Sequence, residues 1–346
     1  MTSSTDTGVT VAQLHGMTRG FMNTSLLRTG VELGVFDALA DGPRSAEELT
    51  GRLGTHPRGT RVLLNALAAI GLLRVEGERY LLPPGGAELL VSTGSGYFGN
   101  AVRLGATDWE WDAHKRLADT VRKGGPVLEH NAEDSEFSYF TLWAEHSKDS
   151  SFNIDGADAL AASLAPWVAE RSTVDVLDIG CGSGYYGFAL AKREPRAQLV
   201  ELDRSEGVVE LARKHAEELG LADRATFLAA DAFADPLGGP YDLVLIANTL
   251  HHFSAEQCTQ LLGRVSEVLK PGGRVAVFGH VYVDDVAPAD NPVQHIFSLI
   301  MLTMTEGGEA HSLRSYREML AATGFGEPQL EPLTKTRYKF FVADKL

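Results

Sequence analysis

Two adjacent histidines, His251 and His252, are the side chains of this chain best suited to acid–base or metal chemistry. They follow an apolar run, 241–247, that predicts a buried strand, and they precede Ser254 and Gln257, a capping-box pair that predicts a helix start. Both imidazoles are therefore expected on a loop at the carboxyl end of a strand, where open α/β sheets place their chemistry. The ordinary pKa of histidine lies near neutrality, which suits proton transfer, and neutral imidazole is also a common metal ligand.

A glycine-rich turn is the second feature with chemical potential. Asp178 ends an apolar run, and Gly180, Gly182 and Gly184 then alternate before a helix-compatible run. A buried strand, a tight turn and a helix N-terminus let the backbone approach a nucleoside-bearing ligand. Alternating glycines alone would be weak evidence, because any tight strand-to-helix turn favours glycine.

Polar residues also follow the later strands of this half of the chain. Glu201 follows the apolar run 197–200, 21 residues after Gly180, at a place where an acid can bind ribose hydroxyls. Asp231 follows the third run and Asn248 the fourth. Because parallel strands end at one sheet edge, these residues predict a single ligand crevice.

The glycine turn resembles that of the class I S-adenosylmethionine-dependent methyltransferases. The string 178–184 is similar to the first motif of that family, and the segment 231–233 is similar to its adenine-side loop. A dinucleotide fingerprint would need glycine where Tyr185 stands. The resemblance implies S-adenosylmethionine as cofactor, with the glycines at its methionine part, an acid at its ribose and the adenine-side loop at its base. The implied cofactor residues are Asp178, Gly180, Gly182, Gly184, Glu201, Asp231, Phe233 and Asn248.

The histidine string 248–258 resembles the Leu-His-Asp-Trp-Ser motif of the small-molecule O-methyltransferases of the caffeate and hydroxyindole type. The catalytic base of that family falls on His251. The family's two glutamates that orient the base would fall on Gly279 and Ala310, so neither carboxylate is present, although Glu309 would substitute after a slip of one residue. A base without its orienting acid is a poorer base.

A third histidine, His295, lies on a predicted helix that lines the acceptor pocket in the resembled family. If His251, His252 and His295 converge, they form a facial site for zinc or iron with open positions for substrate. His280 or His311 would be a substitute ligand.

This pattern is similar to that of the metal-dependent 2-oxo acid (alpha-keto acid) C-methyltransferases of nonribosomal peptide and antibiotic biosynthesis. In such enzymes a metal stabilises the enolate that is methylated at carbon 3. The main prediction is therefore C-methylation of a 2-oxo acid such as 4-methyl-2-oxopentanoate or phenylpyruvate. The alternative is a metal-free O-methyltransferase of a phenol or polyketide, with His251 as general base.

The acceptor pocket is predicted from aromatic and apolar residues on helices near the histidines. Helix packing is the simpler explanation for most such residues, and those that remain as pocket candidates are Phe140, Trp143, Phe297 and Met301.

The predicted fold class is α/β with a second, mainly helical part. The chain is predicted to divide into three segments. Residues 1–100 read as helix, turn, helix and hairpin, a winged-helix pattern that resembles the dimerisation domain of the O-methyltransferases. DNA binding is the alternative, but eight arginines, no lysine and nine acids leave that segment nearly neutral. Residues 101–172 read as a helical cap over the acceptor pocket, and 173–346 as a Rossmann-like methyltransferase domain that ends in an antiparallel pair, 329–333 and 337–342.

Composition narrows the partners and the compartment. The net charge of −15 argues against a nucleic-acid partner held through phosphates. No apolar stretch reaches 18 residues and the first residues are polar, which predicts neither membrane association nor a targeting segment. With two cysteines and no disulfide pattern, the expectation is a cytoplasmic homodimer that acts on a small molecule.

Overall fold

The structure is a computed structural model that describes residues 8–132, 134, 137, 139–147, 151–331 and 338–346, without the side chains of 147 and 151–154. The chain divides into two compact units between Thr107 and Asp108. The predicted bounds at 100 and 172 stay predictions.

The first unit contains five helices and three strands among its described residues. The helices are α1 (Val11–Glu32), α2 (Ala46–Leu53), α3 (Pro57–Ala69), α4 (Gly86–Leu89) and α5 (Gly99–Leu104), and the strands are β1 (Arg44–Ser45), β2 (Arg74–Glu76) and β3 (Arg79–Leu81). The strands form an antiparallel sheet in the order β1-β3-β2. This arrangement confirms the predicted winged-helix pattern.

Local signals explain these boundaries. Ser45 and Glu48 form both bonds of a capping box at the start of α2, and Gly54 ends that helix in the left-handed region. His56 caps α3, whose first residue is Pro57, a residue already suited to a first helical turn.

The second unit is an α/β domain. Its helices are α6 (Asp108–Lys115), α7 (Leu117–Lys123), α8 (Tyr139–Ser147), α9 (Ser151–Ala169), α10 (Tyr185–Arg193), α11 (Glu206–Leu219), α12 (Ala255–Val268), α13 (Pro292–Met304) and α14 (Leu313–Ala322). Its strands are β4 (Val174–Ile179), β5 (Ala197–Asp203), β6 (Ala225–Ala229), β7 (Tyr241–Ala247), β8 (Leu269–Gly279), β9 (Val281–Tyr282), β10 (His311–Ser312), β11 (Gln329–Glu331) and β12 (Lys339–Asp344).

Seven of these strands form one sheet in the order β11-β12-β8-β7-β4-β5-β6. The strands from β8 to β6 run parallel, and β12 runs antiparallel to both β8 and β11. The order reverses between β4 and β7, which is where a doubly wound sheet opens its ligand crevice. The predicted Rossmann-like fold is confirmed.

Alternate residues of each central strand face the two sides of this sheet. Val174 and Val176 of β4 enter one buried cluster, whereas Leu177 and Ile179 enter the other. Burial on both faces is what a parallel sheet requires, and it holds the carboxyl ends of β4, β5 and β7 in fixed positions.

The predicted final strand pair is present as β11 and β12. Its connection, 332–337, lies outside the described residues, as do the predicted strand residues 332, 333 and 337. None of the helices in the described ranges combines the length and apolar character that a membrane crossing requires.

Candidate active site

The glycine turn after β4 has the backbone conformation that its sequence predicts. Gly180, Gly182 and Gly184 all have φ between +57° and +75°, the left-handed region that other residues avoid. At Gly180 an added Cβ would lie 2.5 Å from Thr249 Oγ1, so the turn packs closely against the loop after β7. At Gly182 an added Cβ would meet nothing within 4 Å, so this glycine borders open space. The turn therefore offers its backbone to a ligand at Gly182.

The acids near this turn divide into buried and accessible ones. Asp178 and Glu201 are 1% and 0% exposed, and Asp178 Oδ2 accepts a hydrogen bond from Gly187 N at 3.2 Å. Asp203, the last residue of β5, is only partly buried, and its Oδ2 accepts a hydrogen bond from Gly182 N at 3.2 Å. The acid at the mouth of the crevice is thus Asp203, whereas Glu201, predicted to bind ribose, points beneath α10.

The loop after β6 holds the two predicted adenine-side residues. Asp231 Oδ1 accepts a hydrogen bond from Phe233 N at 2.8 Å, which fixes the turn. The Phe233 ring meets Phe253 edge to face at a centroid distance of 4.8 Å. Asp231 itself is exposed, so its remaining oxygen is available to a ligand.

Asn248 follows β7 in an unusual conformation. Its φ is +53°, and no other described residue except glycine has a positive value. Its backbone N donates to Phe278 O at 2.7 Å, and its side-chain Nδ2 donates to Tyr186 Oη at 2.9 Å. Its Oδ1 is buried without a hydrogen-bond partner among the described residues. This residue is therefore held by two hydrogen bonds, with the side-chain acceptor Oδ1 unused.

The two histidines lie on a 3₁₀ turn, Leu250–His252, immediately before α12. His251 is buried, and its ring centroid lies 4.6 Å from that of His252 and 4.8 Å from that of Phe297. His252 meets the ring of Phe140 edge to face at 5.2 Å. The α12 capping box of Ser254 and Gln257 is formed as predicted, and it fixes where this turn ends.

Burial keeps these imidazoles neutral. It is the main reason that the pKa of His251 lies well below its usual range, and the neighbouring His252, His280 and His311 lower it further. Burial, with a smaller effect of the Arg204 charge, lowers the pKa of His252 to about 4. The site therefore presents two neutral rings that accept protons weakly.

The expected absence of orienting carboxylates is visible in the geometry. A Cβ at Gly279 would lie 3.6 Å from His251 Nδ1, so this position does face His251. Ala310 is buried, and Glu309 is largely exposed with its carboxylate 4.0 Å from His311 Nδ1. The one-residue slip that would bring Glu309 to His251 does not occur.

The predicted three-histidine metal site is wrong for the described part of the chain. The ring of His295 packs against Tyr282 at 4.8 Å, and His311 Nε2 lies 2.9 Å from Phe253 O. No group of three or more His, Cys, Asp or Glu side chains in the described ranges is arranged to hold a metal ion. The physical reason is that the phase of α13 directs His295 to β9, which sequence spacing alone does not reveal.

Helices α8 and α13 supply an apolar wall beside the histidines. Phe140 and Phe297 pack with the buried Met301 in one cluster. Trp143 instead donates from Nε1 to Tyr139 Oη at 3.1 Å. Three of the four predicted pocket residues thus share one cluster, and two of them touch the histidines.

Sequence reasoning missed two residues of this site. Asp203 was overlooked because β5 continues for three residues beyond its apolar run, 197–200. The signal that could have found it is Ser205, the N-cap of α11, which places the end of β5 just before the loop to that helix. Tyr186, which binds Asn248, occupies a helix position that no motif indicates.

Comparisons with known proteins agree with this geometry. The profile described as "Methyltransferase domain" matches residues 176–273, and the one described as "O-methyltransferase dimerisation domain" matches residues 16–92. Acetylserotonin O-methyltransferase of Mus musculus molossinus is 32% identical, over 92% of this chain and 84% of its own. The tetracenomycin polyketide synthesis 8-O-methyl transferase TcmO of Streptomyces glaucescens is 29% identical, over 89% of each chain.

A solved structure shows the same fold. Human N-acetylserotonin methyltransferase in complex with S-adenosylmethionine superposes with a TM-score of 0.81 at 24% identity, over 99% of both chains. Fold, glycine turn and sequence relatives together place this chain in the class I S-adenosylmethionine-dependent O-methyltransferase family, as a methyltransferase with an N-terminal O-methyltransferase dimerisation domain.

Proposed function

We propose that this enzyme methylates a hydroxyl oxygen of an aromatic small molecule, with His251 as general base. The observation that carries this proposal is the buried, neutral imidazole of His251, which follows β7 and lies against the rings of His252 and Phe297. A neutral imidazole can take the hydroxyl proton while the oxygen attacks a methyl group. Phe297 and Phe140 offer the flat apolar faces that an aromatic acceptor prefers.

The cofactor pocket is assigned from the crevice at β4 and β5. S-adenosylmethionine supplies an electrophilic sulfonium methyl when it is bound. The Gly182 backbone, which borders open space, suits its methionine part, and Asp231 with Phe233 suits its adenine. For the ribose hydroxyls the geometry favours Asp203 over Glu201, because only Asp203 lies at the strand end beside the glycine turn. Asp178 then supports the turn from beneath rather than touching the ligand.

O-methylation is favoured over carbon-3 methylation of a 2-oxo acid on two grounds. The metal-dependent proposal needs three converging imidazoles, and His295 lies against Tyr282 instead. The named relatives act as O-methyltransferases on acetylserotonin and on a tetracenomycin polyketide. Both acceptors fit the alternative prediction of a phenol or polyketide substrate.

A homodimer through the first unit is also proposed. Helix α1 exposes apolar side chains at Val11, Leu14, Met17, Phe21 and Met22, each at least 43% exposed. A continuous apolar helix surface of this kind is expected to be covered by a partner. Light scattering should give twice the mass of 37.3 kDa, and Met17→Asp with Phe21→Asp should give that mass itself. A wild-type monomer at micromolar concentration would remove the proposal.

The deciding experiment offers the purified enzyme two acceptor classes with S-adenosylmethionine. N-acetylserotonin and hydroxynaphthoates represent phenols, and 4-methyl-2-oxopentanoate and phenylpyruvate represent 2-oxo acids, each tested with added zinc or iron and after chelation. We expect S-adenosylhomocysteine release and an O-methyl product with phenols alone, unchanged by the chelator. Turnover of 2-oxo acids alone, dependent on metal, would reverse the choice.

The role of the base is tested by substitution. Removal of a positioned general base costs about 10²-fold to 10⁴-fold in rate. We expect His251→Gln to lower kcat by that amount with an unchanged KM for S-adenosylmethionine. The exposed His130→Gln serves as a matched control and should be as active as wild type.

A further inference from the structure

His251 must be oriented by something other than a carboxylate. General bases of this kind present Nε2 to the acceptor when a hydrogen bond fixes the proton on Nδ1. In this chain Gly279 stands on the Nδ1 side, and Glu309 faces His311 instead. The ring therefore needs an acceptor from another element.

The unused oxygen of Asn248 lies on the same side. A Cβ at Gly279 would be 3.6 Å from His251 Nδ1 and 3.9 Å from Asn248 Oδ1, with no closer neighbour. One small space therefore touches both polar atoms, and the absence of a side chain at Gly279 keeps it open. A buried carbonyl without a donor is destabilising, so this space favours a group that donates to Oδ1.

Asn248 is also held firmly enough to orient another residue. Its Nδ2 donates to Tyr186 Oη at 2.9 Å, and Oδ1 is the amide atom that faces the space. Its left-handed backbone is tied to Phe278 O at 2.7 Å. Strained backbone conformations persist where the surroundings fix them, and they concentrate at functional sites.

We propose that Asn248 is the positioning residue of His251, acting through one water molecule that occupies the space above Gly279. The water accepts from His251 Nδ1–H and donates to Asn248 Oδ1, which leaves the Nε2 lone pair for the acceptor proton. This proposal rests on the proposed role of His251 as base. Because the amide is neutral, the bridge orients the ring without the rise in basicity that a glutamate would give.

Two substitutions at one position test the bridge. Gly279→Ala places a methyl group in the space at ordinary contact distances, so it removes the water without crowding the fold. We expect kcat to fall about 10-fold to 100-fold, by analogy with the loss of the outer hydrogen-bond partner of a metal-bound histidine, with both KM values unchanged. Gly279→Ser supplies a hydroxyl in place of the water, and we expect it to recover most of that loss.

Gly263→Ala, on α12 where a Cβ has its nearest neighbour at 3.8 Å, is the matched control and should behave as wild type. Equal kcat in Gly279→Ala and wild type would overturn the bridge. Equal losses in the Ala and Ser variants would also overturn it, since the effect would then be steric.

A readout without turnover separates this proposal from the proposed function. Long-range ¹⁵N correlation spectra of histidine-labelled enzyme report which ring nitrogen carries the proton, with His251 assigned by loss of its signal in His251→Gln. We expect the Nδ1–H form in wild type and Gly279→Ser, and a mixture in Gly279→Ala. Failure of every phenol as acceptor would count against the proposed function alone. A wild-type Nε2–H form would overturn the bridge whatever the acceptor.

Discussion

The stability of Glu201→Gln relative to wild type should increase as pH rises. Glu201 and Asp178 are register partners on β5 and β4, both buried on the face that α10 covers. A Cβ at Gly187 of α10 would lie 2.2 Å from Glu201 Oε1 and 3.2 Å from Asp178 Oδ2, so the two carboxyl groups share one confined space. Neither oxygen of Glu201 has a hydrogen-bond partner within normal distance among the described residues, and the nearby Cys181 thiol lowers the pKa of Glu201 less than burial raises it.

Burial raises the pKa of Asp178 to about 7. For Glu201, burial and the charge of Asp178 raise the pKa well above the ordinary range. The folded protein therefore retains a proton on Glu201 that the unfolded chain loses above a pKa of about 4.3. A raised folded-state pKa gives stability that is full below the unfolded pKa and is lost as pH rises toward the folded one.

The magnitude follows from this proton. Each pH unit above the unfolded pKa costs the wild-type protein about 1.36 kcal/mol to retain it. Glutamine has nearly the same shape and no such proton to lose. The difference in unfolding free energy between Glu201→Gln and wild type should therefore grow with pH, at a rate that approaches this slope for as long as Glu201 keeps its proton in the folded protein.

Urea unfolding followed by tryptophan fluorescence measures this difference. All four tryptophans lie in the second unit, at Trp109, Trp111, Trp143 and Trp167, so the signal reports the unit that contains Glu201. The exposed Glu217→Gln on α11 is the matched control, with no expected growth across the pH range. A Glu201→Gln difference that stays constant from pH 5.5 to 7.5 would show that the carboxyl group is already ionised in the folded protein.

Three further predictions concern binding and catalysis. Asp203→Asn should weaken S-adenosylmethionine binding, measured by calorimetry, about 10-fold to 100-fold, which is the equivalent of one charged hydrogen bond. Glu201→Gln should leave the Kd within about 3-fold of wild type. If Glu201→Gln weakens binding more than Asp203→Asn does, Glu201 is the residue that binds the ribose. His295→Ala should retain the kcat of the wild type and its metal content by elemental analysis. If the substitution lowers both together, the hypothesis of a metal site at His295 is supported. Because the pKa of His251 is lowered, kcat/KM should not fall as pH drops from 8 to 5.5 for a phenol that keeps its proton in solution over that range. A fall of about 10-fold by pH 5.5 would indicate a base with the ordinary histidine pKa of about 6.5.

The sequence predicted those parts of the fold that depend on local signals. The capping boxes at Ser45 and Ser254 and the glycine turn after β4 all formed where the residues indicate, because their bonds join residues only a few positions apart. The alternation of apolar runs and helices was enough to predict a parallel sheet, since parallel strands with right-handed crossovers allow few arrangements. The position of Gly279 beside His251 also follows from register, once the strand is known to end there.

The errors arose where side-chain direction decides the outcome. Glu201 was taken as a ligand residue because it follows an apolar run, yet β5 continues to Asp203 and buries the earlier acid beneath α10. Because carboxyl groups are rarely buried, the sequence alone favours an accessible Glu201 that binds a ligand. His295 was placed with the other histidines by analogy of helices, but it lies two residues from Phe297, which puts the two side chains on roughly opposite sides of α13.

The missing carboxylates at Gly279 and Ala310 also constrain the acceptor. An imidazolium at His251 would form in a buried site whose nearest titratable neighbours, His252 and His280, provide no negative charge. Burial opposes that charge, so proton transfer gains little from the base. Each pKa unit by which the acceptor hydroxyl is more acidic returns about 1.36 kcal/mol to the same step. The site is therefore better matched to a phenol made acidic by a conjugated carbonyl group, as in hydroxylated polyketides, than to an isolated phenol or an aliphatic alcohol.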